Sequence, residues 1–159
     1  MMTTKPILLV EDSPDDVFLL QRAFKQAGCT QPLHVVEDGQ MAVDYLSGKD
    51  GFADRSRFPL PALILLDLKL PQMPGLDVLA WIRGRPDIAS TPVVVLTSSR
   101  ADSDIEEAQA RGSNAFVVKP GSTEQRLELA KHLIGFWLNF NEPPRHCRAS
   151  ANMAHHNRE

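Results

Sequence analysis

Four short apolar runs constrain this chain most: residues 7–10 (ILLV), 63–66 (LILL), 93–96 (VVVL) and 115–118 (AFVV). Each is continuous, with no alternation of polar and apolar positions. A strand reads that way when both faces of its sheet are covered. A weaker run at 33–36 (LHVV) closes on the turn signal Asp38-Gly39. Helical patterns lie between the runs. Ser13 is placed to cap a helix, Pro14 to occupy its first position, and Asp15 and Asp16 to favour its dipole. Val17, Leu20, Ala23, Phe24 and Ala27 then recur at helical spacing until Gly28. Residues 40–46, 76–83, 102–110 and 123–140 complete the helical set. Strand and helix alternate, which predicts an α/β fold: a doubly wound, five-stranded parallel sheet with helices on both faces.

The 159 residues are enough for one domain with a substantial core. We expect that domain over 5–140. Residues 141–159 carry Pro143-Pro144 and few large apolar groups, and read as a flexible tail. Within the tail, His146, Cys147, His155 and His156 lack metal-ligand spacing and read as solvated. Residues 47–61 read as a polar surface loop. A net charge of −3 advertises no basic surface for nucleic acid. No apolar run approaches the roughly 18 residues of a membrane span. The opening run meets acids, not a small-residue cleavage site, so no signal peptide is read there. Two distant cysteines, Cys29 and Cys147, fit a reducing cytoplasm.

Ligands of an open parallel sheet bind beyond the carboxyl ends of its strands. The residues expected there are Glu11 and Asp12 after the first strand, Asp67 after the third, Thr97 after the fourth and Lys119 after the fifth. Clustered carboxylates need a cation. A few protein oxygens with room for water and a phosphate suit Mg2+. Lys119 and Thr97 can bind phosphoryl oxygens. A carboxylate beside the metal can act as nucleophile and form an acyl phosphate.

These residues carry a resemblance. VED at the first strand end, LLDLKLPQMPG around the third, VLTSS at the fourth and VVKP at the fifth resemble the receiver domain of two-component signalling, the CheY-like response-regulator fold. The resemblance spans residues 6 to about 140. It implies Asp67 as phosphoacceptor. It implies Glu11 and Asp12 as the acid pair at Mg2+, with Asp12 a direct ligand and Lys69 lending its backbone carbonyl. Thr97 and Lys119 would contact the phosphoryl group, and Phe116 would take the aromatic switch position. Pro120 would follow a cis peptide bond. Lys69 and Ser99 would border the path of attacking water, and Gly121 replaces a bulkier residue of the family. The loop before the third strand, STPVVVLTSS and the closing GFWLNFNEP narrow the resemblance to single-domain regulators paired with phytochrome-type histidine kinases. That kinase, in bacteria a bacteriophytochrome, is the implied partner.

On a helical wheel of 100° per residue, Leu127, Ala130, Ile134, Trp137 and Leu138 fall on one side of the last helix. Leu129, Leu133, Phe136 and Phe140 fall nearly opposite. One apolar face suffices for a surface helix, so the second predicts a partner face and a homodimer. The sequence therefore reads as a stand-alone, cytoplasmic phosphorylation switch, not an enzyme, with no nucleic-acid partner. The rivals are a scaffold that kept the fold without the chemistry, a DNA-binding regulator and a small phosphatase. The intact acid, threonine and lysine set opposes the first, and the chain after Phe140 is too short for the second's output domain. The third would be supported by phosphoester turnover without Asp67.

Overall fold

A computed structural model describes residues 5–140, the side chain of Phe140 excepted. The expected tail at 141–159, with its histidines and Cys147, lies outside the described residues. The first apolar run forms β1 (Ile7–Val10), and α1 (Pro14–Gln26) follows it. Ser13 caps α1 in extended backbone, its Oγ accepting from the Asp16 amide at 3.3 Å. After β2 (Leu33–Val36), Asp38 caps α2 (Gly39–Ser47) by accepting from the Met41 amide at 2.7 Å. The chain continues through β3 (Leu63–Leu66), α3 (Gly75–Arg83), β4 (Val93–Thr97), α4 (Asp102–Ala110), β5 (Ala115–Val118) and α5 (Thr123–Leu133).

The strands are parallel in the order β2-β1-β3-β4-β5. Every residue of β1, β3 and β4 is buried, as their unbroken apolar runs require. β2 and β5, at the edges, are more open. Alternate residues serve opposite faces. Leu8, Val10, Ile64 and Leu66 pack against α2 and α3. Ile7, Leu9, Leu63, Leu65, Val94 and Leu96 pack against α1 and α5. Val95 joins Ala108 of α4 in a smaller cluster with Leu68 and Phe116.

Two expectations about the last helix are corrected below. The loop at 47–61 lies at the surface between α2 and β3, and it is also pinned. Arg55 donates to the carbonyls of Tyr45 (2.7 Å), Leu46 (2.8 Å) and Phe58 (3.1 Å), covering the open end of α2. Phe52 and Phe58 stack on the buried Tyr45 ring with centroids 5.2 and 5.9 Å away.

The last helix does not continue as one α-helix. It ends at Leu133 and passes into a π-helical segment, Ile134–Phe140.

Its second apolar stripe is not a free face either. Leu133 is only 4% exposed, and Leu129 packs half-buried beside it in the same core as Ala130, Ile134, Trp137 and Leu138. Leu129 and Leu133 therefore widen the buried face of α5 and do not form a second, free one. Burying a leucine contributes about 2 kcal/mol over leaving it in water, which decides where Leu133 goes. Phe136 is 54% exposed. The side chain of Phe140 lies outside the described residues.

Candidate functional site at the carboxyl edge of the sheet

Backbone pairing carries the site residues past the strand ends. The Glu11 amide donates to the Val36 carbonyl at 3.0 Å, and the Asp67 amide to the Val10 carbonyl at 3.1 Å. The Lys119 amide donates to the Thr97 carbonyl at 2.8 Å. The ladder therefore fixes these backbones at one edge. That edge includes the crevice between β1 and β3, where the strand order reverses.

The side chains converge there. Lys119 Nζ lies 2.6 Å from Glu11 Oε1, 2.8 Å from Asp16 Oδ2 and 3.0 Å from Asp67 Oδ2. Burial works against the ammonium, but the hydrogen bonds it donates to Asp16, Glu11 and Asp67 outweigh that and raise its pKa above the usual lysine value. Lys119 is a fixed cation here. Glu11 is 2% exposed. Burial pushes its pKa up to about 7 against the opposing pull of Lys119, and the Asp67 charge adds to the rise.

Glu11, Asp12 and Asp67 each bring one carboxylate oxygen within 4.8 Å of the other two. Ligands around an octahedral Mg2+ at about 2.1 Å span about 4.2 Å at most, so small side-chain shifts close the set. Asp12 is the exposed member and leaves the site open to water. The donor set, all hard oxygen and rich in negative charge, fits a small divalent cation.

Thr97 is fully buried, and its Oγ1 accepts from the Ser99 amide at 3.4 Å. The Ser99 hydroxyl donates to Asp104 Oδ2 of α4 at 2.5 Å. Phe116 is half-buried against Leu68, Val95 and Ala108. The Lys69 side chain is exposed, and its amide donates to Asp67 Oδ1 at 3.3 Å. The Lys119–Pro120 bond is trans, since no cis peptide occurs among the described residues. This corrects the expectation at Pro120: trans is the favoured isomer, and it already delivers Lys119 into the acid cluster.

The sequence reading missed two residues. Asp16 opens α1 as expected, but it also ion-pairs with Lys119. Phe18, 61% exposed, borders a groove of about 190 Å³ that Glu11, Asp12, Val35 and Glu37 also line. Its position next to the inward Val17 was the available signal.

Residues 7–131 match the response regulator receiver domain family. The chain is 38% identical over 138 residues to the probable methanogenesis regulatory protein FilR2 of Methanothrix harundinacea, covering 87% of this chain and 86% of that protein. It is 35% identical over 134 residues to the response regulator Rcp1 of Synechocystis sp., covering 84% and 89%. The Mn2+-bound crystal structure of Rcp1 superposes with a TM-score of 0.78 at 34% identity, covering 88% of this chain and 99% of that one. The phosphorylated cyanobacterial phytochrome response regulator RcpA superposes with a TM-score of 0.81 at 34% identity, covering 89% and 99%.

Proposed function

The chain belongs to the response regulator receiver domain family, and from that premise we propose that Asp67 is its phosphoacceptor. One observation carries the reading: Asp67, 6% exposed, faces a fixed ammonium 3.0 Å away inside a triad of acids. A carboxylate oxygen of Asp67 attacks the phosphorus of a phosphohistidine. The O–P bond forms, the N–P bond breaks, and the leaving imidazole recovers its electron pair. Lys119 and Thr97 bind phosphoryl oxygens as charge shifts onto them.

Glu11, Asp12, Asp67 and the Lys69 carbonyl would hold Mg2+, which would supply neutralisation of phosphoryl charge. The Mn2+-bound form of the similar Rcp1 supports the binding of a divalent ion. As Thr97 is drawn to the phosphoryl group, Phe116 and the start of α4 follow. Ser99 links Thr97 to Asp104 across that step.

The donor is a sensor histidine kinase, in the finer reading a phytochrome-type kinase, supported by the similarity to RcpA, and the regulator works in the cytoplasm. Among the described residues no helix is long and apolar enough to cross a membrane. We propose a homodimer through the exposed Phe136, whose ring stacks edge-on against Trp137 with centroids 5.0 Å apart. Scattering on Phe136→Glu tests it: a smaller particle than wild type supports the interface, and an unchanged one removes it. For the switch itself, beryllofluoride with Mg2+ shifts amide resonances of β4 and α4 in wild type and leaves Asp67→Asn unmoved. Equal shifts in both would sink the assignment.

A further inference from the structure

An ammonium has three N–H donors. In Lys119 they face three carboxylates, those of Glu11, Asp16 and Asp67. Glu11 and Asp67 belong to the acid triad, and Asp16 does not. The three partners would therefore divide on Mg2+ binding: oxygens of Glu11 and Asp67 would be drawn to the cation, and Asp16, outside the triad, would stay with Lys119. Its backbone is held in the first turn of α1, where its amide donates to the capping Ser13 hydroxyl. A crevice lined by Asp16, Leu20, Leu96, Lys119, Pro120 and Arg126 bounds the pair on the side of α5. Lysine has a flexible four-carbon stem and does not hold a position by itself.

We propose that Asp16 is the positioning residue for Lys119 in the metal-loaded and phosphorylated states. It holds the ammonium at the phosphoryl site from α1 after the metal has taken its other partners. The inference rests on the reading that Glu11, Asp12 and Asp67 hold Mg2+. Asp15, on the exposed side of the same turn, supplies the matched control. It carries the same charge to the same helix dipole and is not among the Lys119 partners.

The test compares wild type, Asp16→Ala and Asp15→Ala. Mg2+ uptake is first measured by calorimetry. The Lys119 Nζ resonance is then followed by nitrogen NMR with and without Mg2+, and phosphorylation by acetyl phosphate is timed. Without Mg2+, Glu11 and Asp67 keep the Lys119 resonance sharp in all three proteins. With Mg2+, it broadens away in Asp16→Ala alone, and phosphorylation of that variant slows about tenfold, the scale expected of a modestly misplaced group. Asp16→Glu recovers part of the rate. A Lys119 resonance that stays sharp in Mg2+-loaded Asp16→Ala overturns the proposal, as does equal slowing in Asp15→Ala. Failure of wild type to take up Mg2+ overturns the metal reading, and the anchor with it.

Discussion

The Lys119 ammonium lies 3.0 Å from Asp67 Oδ2, although β4 runs between the strands that carry the two residues. The contact crosses two strand spacings, about 10 Å of sheet, which only a long side chain can bridge. Lys119→Ala removes the ammonium of this cluster, and replacement by water leaves the developing phosphoryl charge uncompensated. Loss of one such preorganised donor costs about 100-fold in rate. Timed phosphorylation with acetyl phosphate should therefore show Lys119→Ala slowed on that order. A rate within threefold of wild type would remove Lys119 from the site.

Gly75 shows how closely α3 is set against the site. A Cβ there would meet the Asp67 carbonyl oxygen at 2.1 Å and the Leu68 Cα at 2.7 Å, both backbone atoms. Gly75→Ala must push α3 away or displace Asp67. Such overpacking costs roughly 1–3 kcal/mol. Gly121→Ala, with nothing within 4 Å of its added carbon, should change stability by less than about 0.5 kcal/mol. Urea denaturation of the two variants checks the contrast, and equal midpoints would contradict it.

Asp67 and Lys119 were legible because continuous apolar strands fix where a chain reaches the sheet edge. The acids after β1 follow the same logic. Asp16 was not legible in this way. Its helix-start role is complete by itself, and nothing local reveals that α1 turns it toward a lysine 103 positions later. Leu133 was misassigned because a wheel divides angles without knowing how wide a cleft the helix fills. Arg55 lies in a stretch with no periodicity, so its three carbonyl partners appear only once α2 and the loop are folded together.

His34 should make stability depend on pH. The Tyr45 hydroxyl donates its one proton to the Pro59 carbonyl at 2.9 Å, so His34 Nδ1, 2.7 Å away, must donate to the Tyr45 oxygen. Burial lowers the His34 pKa from 6.5. The unfolded chain thus takes up the proton first as pH falls. The stability in question is fully present above about pH 6.5 and is lost as pH falls below it toward the folded pKa. His34→Asn keeps a donor near Nδ1 and should flatten that part of the stability profile. A His34 ring that titrates at or above 6.5 by proton NMR would contradict the account.

Phe18 should matter to a protein donor and not to a small one. It stands exposed at the groove that Asp12 also lines, and a protein donor of the proposed kind would reach the site over it. Truncating an exposed aromatic anchor costs about 2 kcal/mol of binding when it is a central contact, roughly 30-fold in affinity. Phe18→Ala should slow transfer from the cognate kinase on that scale and leave acetyl phosphate kinetics unchanged. Equal slowing with both donors would place Phe18 in the chemistry or the fold, not at a docking surface.

The central claim is that one carboxylate, Asp67, takes the phosphoryl group. Intact-mass spectrometry after incubation with acetyl phosphate and Mg2+ tests it most directly. Wild type should gain one base-labile, hydroxylamine-labile phosphoryl group, chelation of the metal should prevent the gain, and Asp67→Asn should gain none. A wild type that gains nothing, or an Asp67→Asn variant that gains the same labile group, would contradict it.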